Sequence, residues 1–142
     1  MPTPEDYLVK QACADLVARY AYLNDERRFE ELAALFTEDA VLCRPSAPDQ
    51  PIGGRAAILA AFRKRPPDAL TFHVCSDILV EVQDARTAHG RSRILLLSAT
   101  RPADGVLAGV AAGVPVPGVF RDRFALTDAG WRFAERRGMF WI

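Results

Sequence analysis

The apolar period of this chain changes once, at Pro66-Pro67, and that change limits the folds open to it. Before it, apolar residues recur every three or four positions. After it, they alternate or run in short blocks between turn residues. Three helices with one early strand are therefore followed by a run of long strands. With 142 residues there is room for one domain, 1–142, with a real core. Such an order predicts an α+β fold, with the helices packed on one face of a curved antiparallel sheet.

The first helix starts at Thr3-Pro4-Glu5-Asp6, where Thr3 can cap, Pro4 suits the first turn and Asp6 can answer back. Its apolar stripe runs through Leu8, Val9, Ala12, Leu16, Val17, Tyr20 and Leu23. Asn24-Asp25 reads as a stop and as the cap of a second helix, which carries Phe29, Leu32, Leu35 and Phe36 and ends near Thr37-Asp39. Ala40–Cys43 is a short strand, and 44–51, with three prolines, is a loop. Gly53-Gly54 leads into a third helix, Arg55–Lys64. In the strand Leu70–Val82, alternation puts Phe72, Val74, Ile78, Val80 and Val82 on one face. Thr71, His73, Cys75, Asp77 and Glu81 share the other with Leu79. His89 reads as a turn residue. Thr87–Thr100 contains a second long strand, and 101–118 reads as a mobile loop or lid. Val119–Leu126 and Trp131–Trp141 form a last hairpin about Thr127-Asp128-Ala129-Gly130.

Composition excludes several function classes. The 18 basic and 18 acidic residues balance, which gives no electrostatic footprint for nucleic acid. Three cysteines, Cys13, Cys43 and Cys75, fit neither a disulfide framework nor a CxxC site, and suit a reducing cytoplasm. Two histidines are too few for a multi-histidine metal site, and a site from His73, Asp25 and Asp77 has no diagnostic spacing. The start M-P-T-P-E-D has no signal-peptide core, and no segment reaches the ~20 apolar residues of a membrane helix. The expectation is a cytoplasmic protein that binds neither membrane nor nucleic acid.

The polar residues most suited to chemistry are few. His73 can act as a general acid–base, and Asp25 can accept its ring N–H and fix the tautomer. Tyr20, or Tyr22, can donate to an oxygen where charge develops. The plain alternative is that Asp25 only caps a helix, Tyr20 is a core aromatic with a satisfied hydroxyl and His73 is a half-exposed strand residue. Asp122, in F-R-D-R-F, falls on the face of Phe120 and Phe124. It either lines a pocket or pairs with Arg121 or Arg123. Cys75 reads as pocket wall rather than nucleophile. Trp131, Phe133, Phe140 and Trp141 are core, ligand or dimer contacts, and the apolar end 139–142 suggests a homodimer surface.

Several stretches together carry a resemblance. They are R-Y-A-Y-L-N-D-E-R-R-F-E-E-L-A-A-L-F-T-E-D-A-V, G-G-R-A-A-I, T-F-H-V and D-R-F-A-L-T-D-A-G-W-R-F-A-E-R-R. In this order the chain, from about Asp6 to Arg137, resembles the SnoaL-like group of nuclear transport factor 2-like proteins. The resemblance implies a cone-shaped sheet with a deep apolar pocket under the first helix. Within the superfamily the functional likeness is to the scytalone dehydratase and bile acid dehydratase type, and it maps Tyr, Asp and His onto Tyr20, Asp25 and His73. It implies a cofactor-independent lyase or isomerase acting on an apolar cyclic or polyketide-like molecule. The alternative is a non-catalytic binding or assembly module, such as an oxygenase β-subunit-like protein. Those dehydratases also carry a polar residue deep in the next strand, where this chain is apolar at 95–97.

Overall fold

In the computed structural model of the protein, residues 1–106 and 113–141 are described. Helix α1, Pro4–Asp25, opens on the expected capping box: the Asp6 N–H donates to the Thr3 hydroxyl, and the Thr3 N–H to the Asp6 carboxylate. The helix buries Cys13, Leu16, Val17, Tyr20 and Asn24. Its end is a Schellman turn. The Arg28 N–H donates to the Leu23 carbonyl at 2.9 Å and the Arg27 N–H to that of Asn24 at 3.2 Å, with Arg27 left-handed at φ 60°. A side chain in that conformation costs about 1–2 kcal/mol. The Arg27 guanidinium offsets this by donating to the carbonyls of Arg65, Pro66 and Ala69.

This turn corrects the expected cap. Asp25 belongs to the last turn of α1, and the short helix α2, Phe29–Ala33, is capped at Arg28 without any side-chain hydrogen bond. The second helix also stops earlier than its apolar period suggests. Strand β1, Phe36–Cys43, takes over because Phe36 stacks on Phe133, with ring centroids 5.1 Å apart, and the Leu35 carbonyl accepts the Phe133 N–H at 2.8 Å. Tertiary pairing overrides local period here.

The remaining elements are β2 (Ile52–Gly53), α3 (Arg55–Arg63), β3 (Ala69–Val82), β4 (Thr87–Thr100), β5 (Val116–Thr127) and β6 (Gly130–Phe140). They make one six-stranded sheet in the order β2-β1-β6-β5-β4-β3. The α+β class and the curved sheet under three helices stand as expected. The sheet, however, is mixed and open rather than wholly antiparallel, because β1 returns past the helices to run parallel to β6. His89 is an exposed residue of β4 opposite Glu81, not part of a turn. Of the expected loop 101–118, residues 107–112 lie outside the described residues, and β5 already begins at Val116.

Two bulges decide what faces inward. In β3 the register slips by one residue between Ser76 and Leu79, with Asp77 left-handed at φ 53°. Before the slip Thr71, His73 and Cys75 point in, while Phe72 and Val74 are exposed; after it Ile78, Val80 and Val82 point in. The single alternation expected across Leu70–Val82 is therefore wrong in phase at its N-terminal half, and Asp77 does not share a face with His73. In β6 the slip falls beside Phe133, so Phe133 and Ala134 are both buried and Arg136 turns inward instead of Glu135. The core gathers where these inward faces meet α1: the Tyr20 ring meets Phe36, Phe62, Phe120 and Phe133 edge-on at 5.8–6.2 Å.

Candidate functional site

The site is built where the last turn of α1 crosses the first half of β3. The Asp25 carboxylate accepts three hydrogen bonds from that strand. Oδ1 lies 2.5 Å from Nδ1 of His73 and takes the Thr71 hydroxyl at 2.9 Å, and Oδ2 takes the His73 backbone N–H at 2.7 Å. A carboxylate at a helix C-terminus meets the negative end of the helix dipole. These donors supply what the helix end does not. With Nδ1–H donated to Asp25, the His73 ring presents Nε2 as its free basic nitrogen. Asp25 thus bonds to β3 and is not a helix cap.

His73 and Tyr20 line an open-mouthed cavity of about 740 Å³ bordered by α1, α3, the 44–51 loop and the sheet. Phe62, Ile94, Leu96, Phe120 and Phe140 supply apolar wall, and Leu96 stands directly across from His73 in the strand pairing. The cavity therefore keeps the apolar character expected at 95–97. Tyr20 is only 3% exposed. Burial pushes its hydroxyl up to about 12, against the opposing pull of Arg136, so it stays a neutral donor at working pH.

The other sequence candidates fall elsewhere. Tyr22 is 71% exposed, because two residues along a helix turn it well away from the face of Tyr20. It cannot share the cavity. Cys75 faces inward beyond His73 and packs on the core without lining the cavity, and burial raises its thiol. Asp77 is exposed on the far side of the bulge and pairs with Arg93 at 3.5 Å. Among the described residues no cluster of three histidine, cysteine or acidic side chains could hold a metal ion.

Asp122 is buried, as its alternation suggested, but it neither lines the cavity nor pairs with a neighbour on its own strand. Its partner is Arg136 at 3.0 Å, and that guanidinium is fully buried. The Arg136 guanidinium carbon lies 3.6 Å from the Phe120 ring centroid and 4.4 Å from that of Tyr20. Burial raises the Asp122 carboxyl to about 6, with Arg136 pulling the other way. Strict alternation from Phe133 would have turned Arg136 outward, so only the bulge reveals it. Arg44, Lys64, Arg65, Asn24 and Thr71 also line the cavity and carried no sequence signal of their own.

The sequence profile of the SnoaL-like domain matches residues 5–137. The chain belongs to the SnoaL-like family. No curated protein sequence matches it. Solved structures similar to this SnoaL-like chain include a candidate scytalone dehydratase from Novosphingobium aromaticivorans. That structure is 23% identical, with a TM-score of 0.81, over 96% of this chain and 87% of the other. A protein of unknown function from Mycobacterium tuberculosis is 27% identical, with a TM-score of 0.79, over 99% and 76%. A hexachlorocyclohexane dehydrochlorinase is 19% identical, with a TM-score of 0.80, over 99% and 90%. At such identities the dehydratase and the dehydrochlorinase share a fold with this SnoaL-like protein.

Proposed function

We propose that this SnoaL-like protein is a cofactor-independent lyase or isomerase acting on an apolar cyclic or polyketide-like small molecule. The observation that carries this reading is the 2.5 Å contact between Asp25 Oδ1 and Nδ1 of a histidine that lines the cavity. A binding or assembly module has no need for such a pair. Nε2 of His73 takes a proton from a carbon beside a carbonyl, and the electron pair moves onto the carbonyl oxygen. Asp25 holds the tautomer and stabilises the imidazolium that forms. Tyr20 donates its neutral O–H to the developing enolate. Collapse of the enolate either expels a hydroxyl from the next carbon, protonated by the imidazolium and lost as water, or takes the proton back at another carbon and moves the double bond.

The test needs no knowledge of the natural substrate. Cyclic ketones such as 2-tetralone, incubated in D2O, report proton abstraction by loss of the α-proton NMR signal. Exchange faster than buffer in the wild type and at buffer rate in His73→Ala is expected. Equal exchange by the two proteins would remove His73 as the base.

A further inference from the structure

We infer that the substrate carries a carboxylate as well as its apolar body, and that Arg44 is the residue that receives it. This rests on the acid–base reading of the same cavity and adds a second point of contact to it. The cavity wall holds three permanent cations, Arg44, Lys64 and Arg65, and among the described residues no aspartate or glutamate. Of the carboxylates close behind the wall, Asp25 is taken by Thr71 and His73, and Asp122 by the buried Arg136. An apolar chamber with an uncompensated basic wall suits an amphipathic anion.

The arginines at this end of the fold are not equivalent. Arg65 donates to the carbonyl and side-chain oxygens of Asn24. Arg27 donates to three carbonyls of the α3–β3 connection, and Arg55 to the Phe36 carbonyl. Arg44 makes no side-chain hydrogen bond or ion pair among the described residues, although it is only partly exposed. Its Nε is shut off from solvent with no partner. A buried N–H left unmade costs about 1–3 kcal/mol. A carboxylate accepted on the terminal N–H groups of that guanidinium would give Arg44 a charge partner and offset one of the three cations of the wall.

The backbone holds Arg44 ready. It follows directly on β1, whose last residue, Cys43, pairs with Arg137 of β6. The Arg44 carbonyl accepts the Ala47 N–H at 2.9 Å, which closes a turn. Pro45 packs where a Cβ on Gly138 would stand, only 2.6 Å from its ring. A backbone held in this way sets the point of the wall from which the Arg44 side chain starts.

The probes are 2-naphthoate and its neutral near-isostere 2-naphthamide, titrated by calorimetry into the wild type, Arg44→Met and Arg44→Lys. The wild type should prefer naphthoate by about tenfold or more, Arg44→Met should lose that preference, and Arg44→Lys should keep part of it. Circular-dichroism melts confirm that each variant is folded. Equal binding of the two probes, no binding of naphthoate, or a preference that survives in Arg44→Met would overturn the inference. Naphthoate has no proton beside a ketone to lose, so this ratio is independent of the exchange assay. Failure of the His73 chemistry and failure of the Arg44 contact therefore read out separately.

Discussion

Asp25 grips His73 at two points: one carboxylate oxygen is 2.5 Å from the ring Nδ1, and the other accepts the same residue's backbone N–H at 2.7 Å. The ring and the strand that carries it are thus oriented by one side chain. Asp25→Asn should keep the backbone contact through its amide oxygen but lose the acceptor that selects the tautomer. Ketone exchange should fall by roughly 10²–10⁴-fold. Imidazole 15N NMR should show the His73 tautomer shifted. An unchanged exchange rate would mean that the contact is structural only.

The buried pair Asp122–Arg136 makes a different prediction. Arg136→Met leaves Asp122 buried without its counter-charge and should cost ~3–5 kcal/mol in urea denaturation. The double variant Asp122→Leu/Arg136→Met should recover most of that loss, since it leaves no charge behind. Equal stabilities of the single and double variants would argue against coupling.

A pH dependence follows from the same carboxyl. Burial raises Asp122 from the usual 3.8 to about 6. Between those values the folded protein binds this proton more tightly than the unfolded chain does. The stability contributed by the protonated form is full below about pH 4 and is lost as pH rises through about 6. The stability of the wild type relative to Asp122→Asn should therefore decline from pH 4 to pH 6 and stay level above. Denaturation at four pH values checks the slope, and a rising difference would reverse the assignment.

Gly138 tests the mounting of the 44–51 loop. An added Cβ would lie 2.6 Å from Pro45 and 2.7 Å from Phe120. Gly138→Ala should destabilise the fold by ~1–3 kcal/mol and lower the melting temperature. It should also weaken naphthoate binding more than naphthamide binding, because the displaced proline adjoins Arg44. A variant with wild-type melting and binding would show that the loop relaxes freely.

Regular periods carry information, and interruptions hide it. Tyr20 was legible because it sits in the 3.6-residue stripe of α1, and the inward turn of Asp122 because β5 alternates without a break around it. From residue type Asp25 and His73 could be read as an acid–base pair or as a helix cap and a strand residue, and the resemblance of the whole order of motifs pointed to the pair. The outward turn of Phe72 and Val74, and the inward turn of Arg136, each follow from one inserted residue that no pattern of residue types announces. Asp25 looked like a cap because Asn and Asp favour helix starts. The left-handed Arg27 that displaces the boundary breaks the preference for glycine there, and three distant carbonyls hold it. Arg44 lies in a proline-rich loop with no period to read.

The slip at Ser76–Leu79 makes β3 two half-strands with opposite parity joined end to end. One half carries the histidine, and the other packs Ile78 and Val80 into the core. Inward residues before the joint can change without altering the side-chain order after it. A single chain segment can thereby diversify its chemistry at one end while its structural end stays constant.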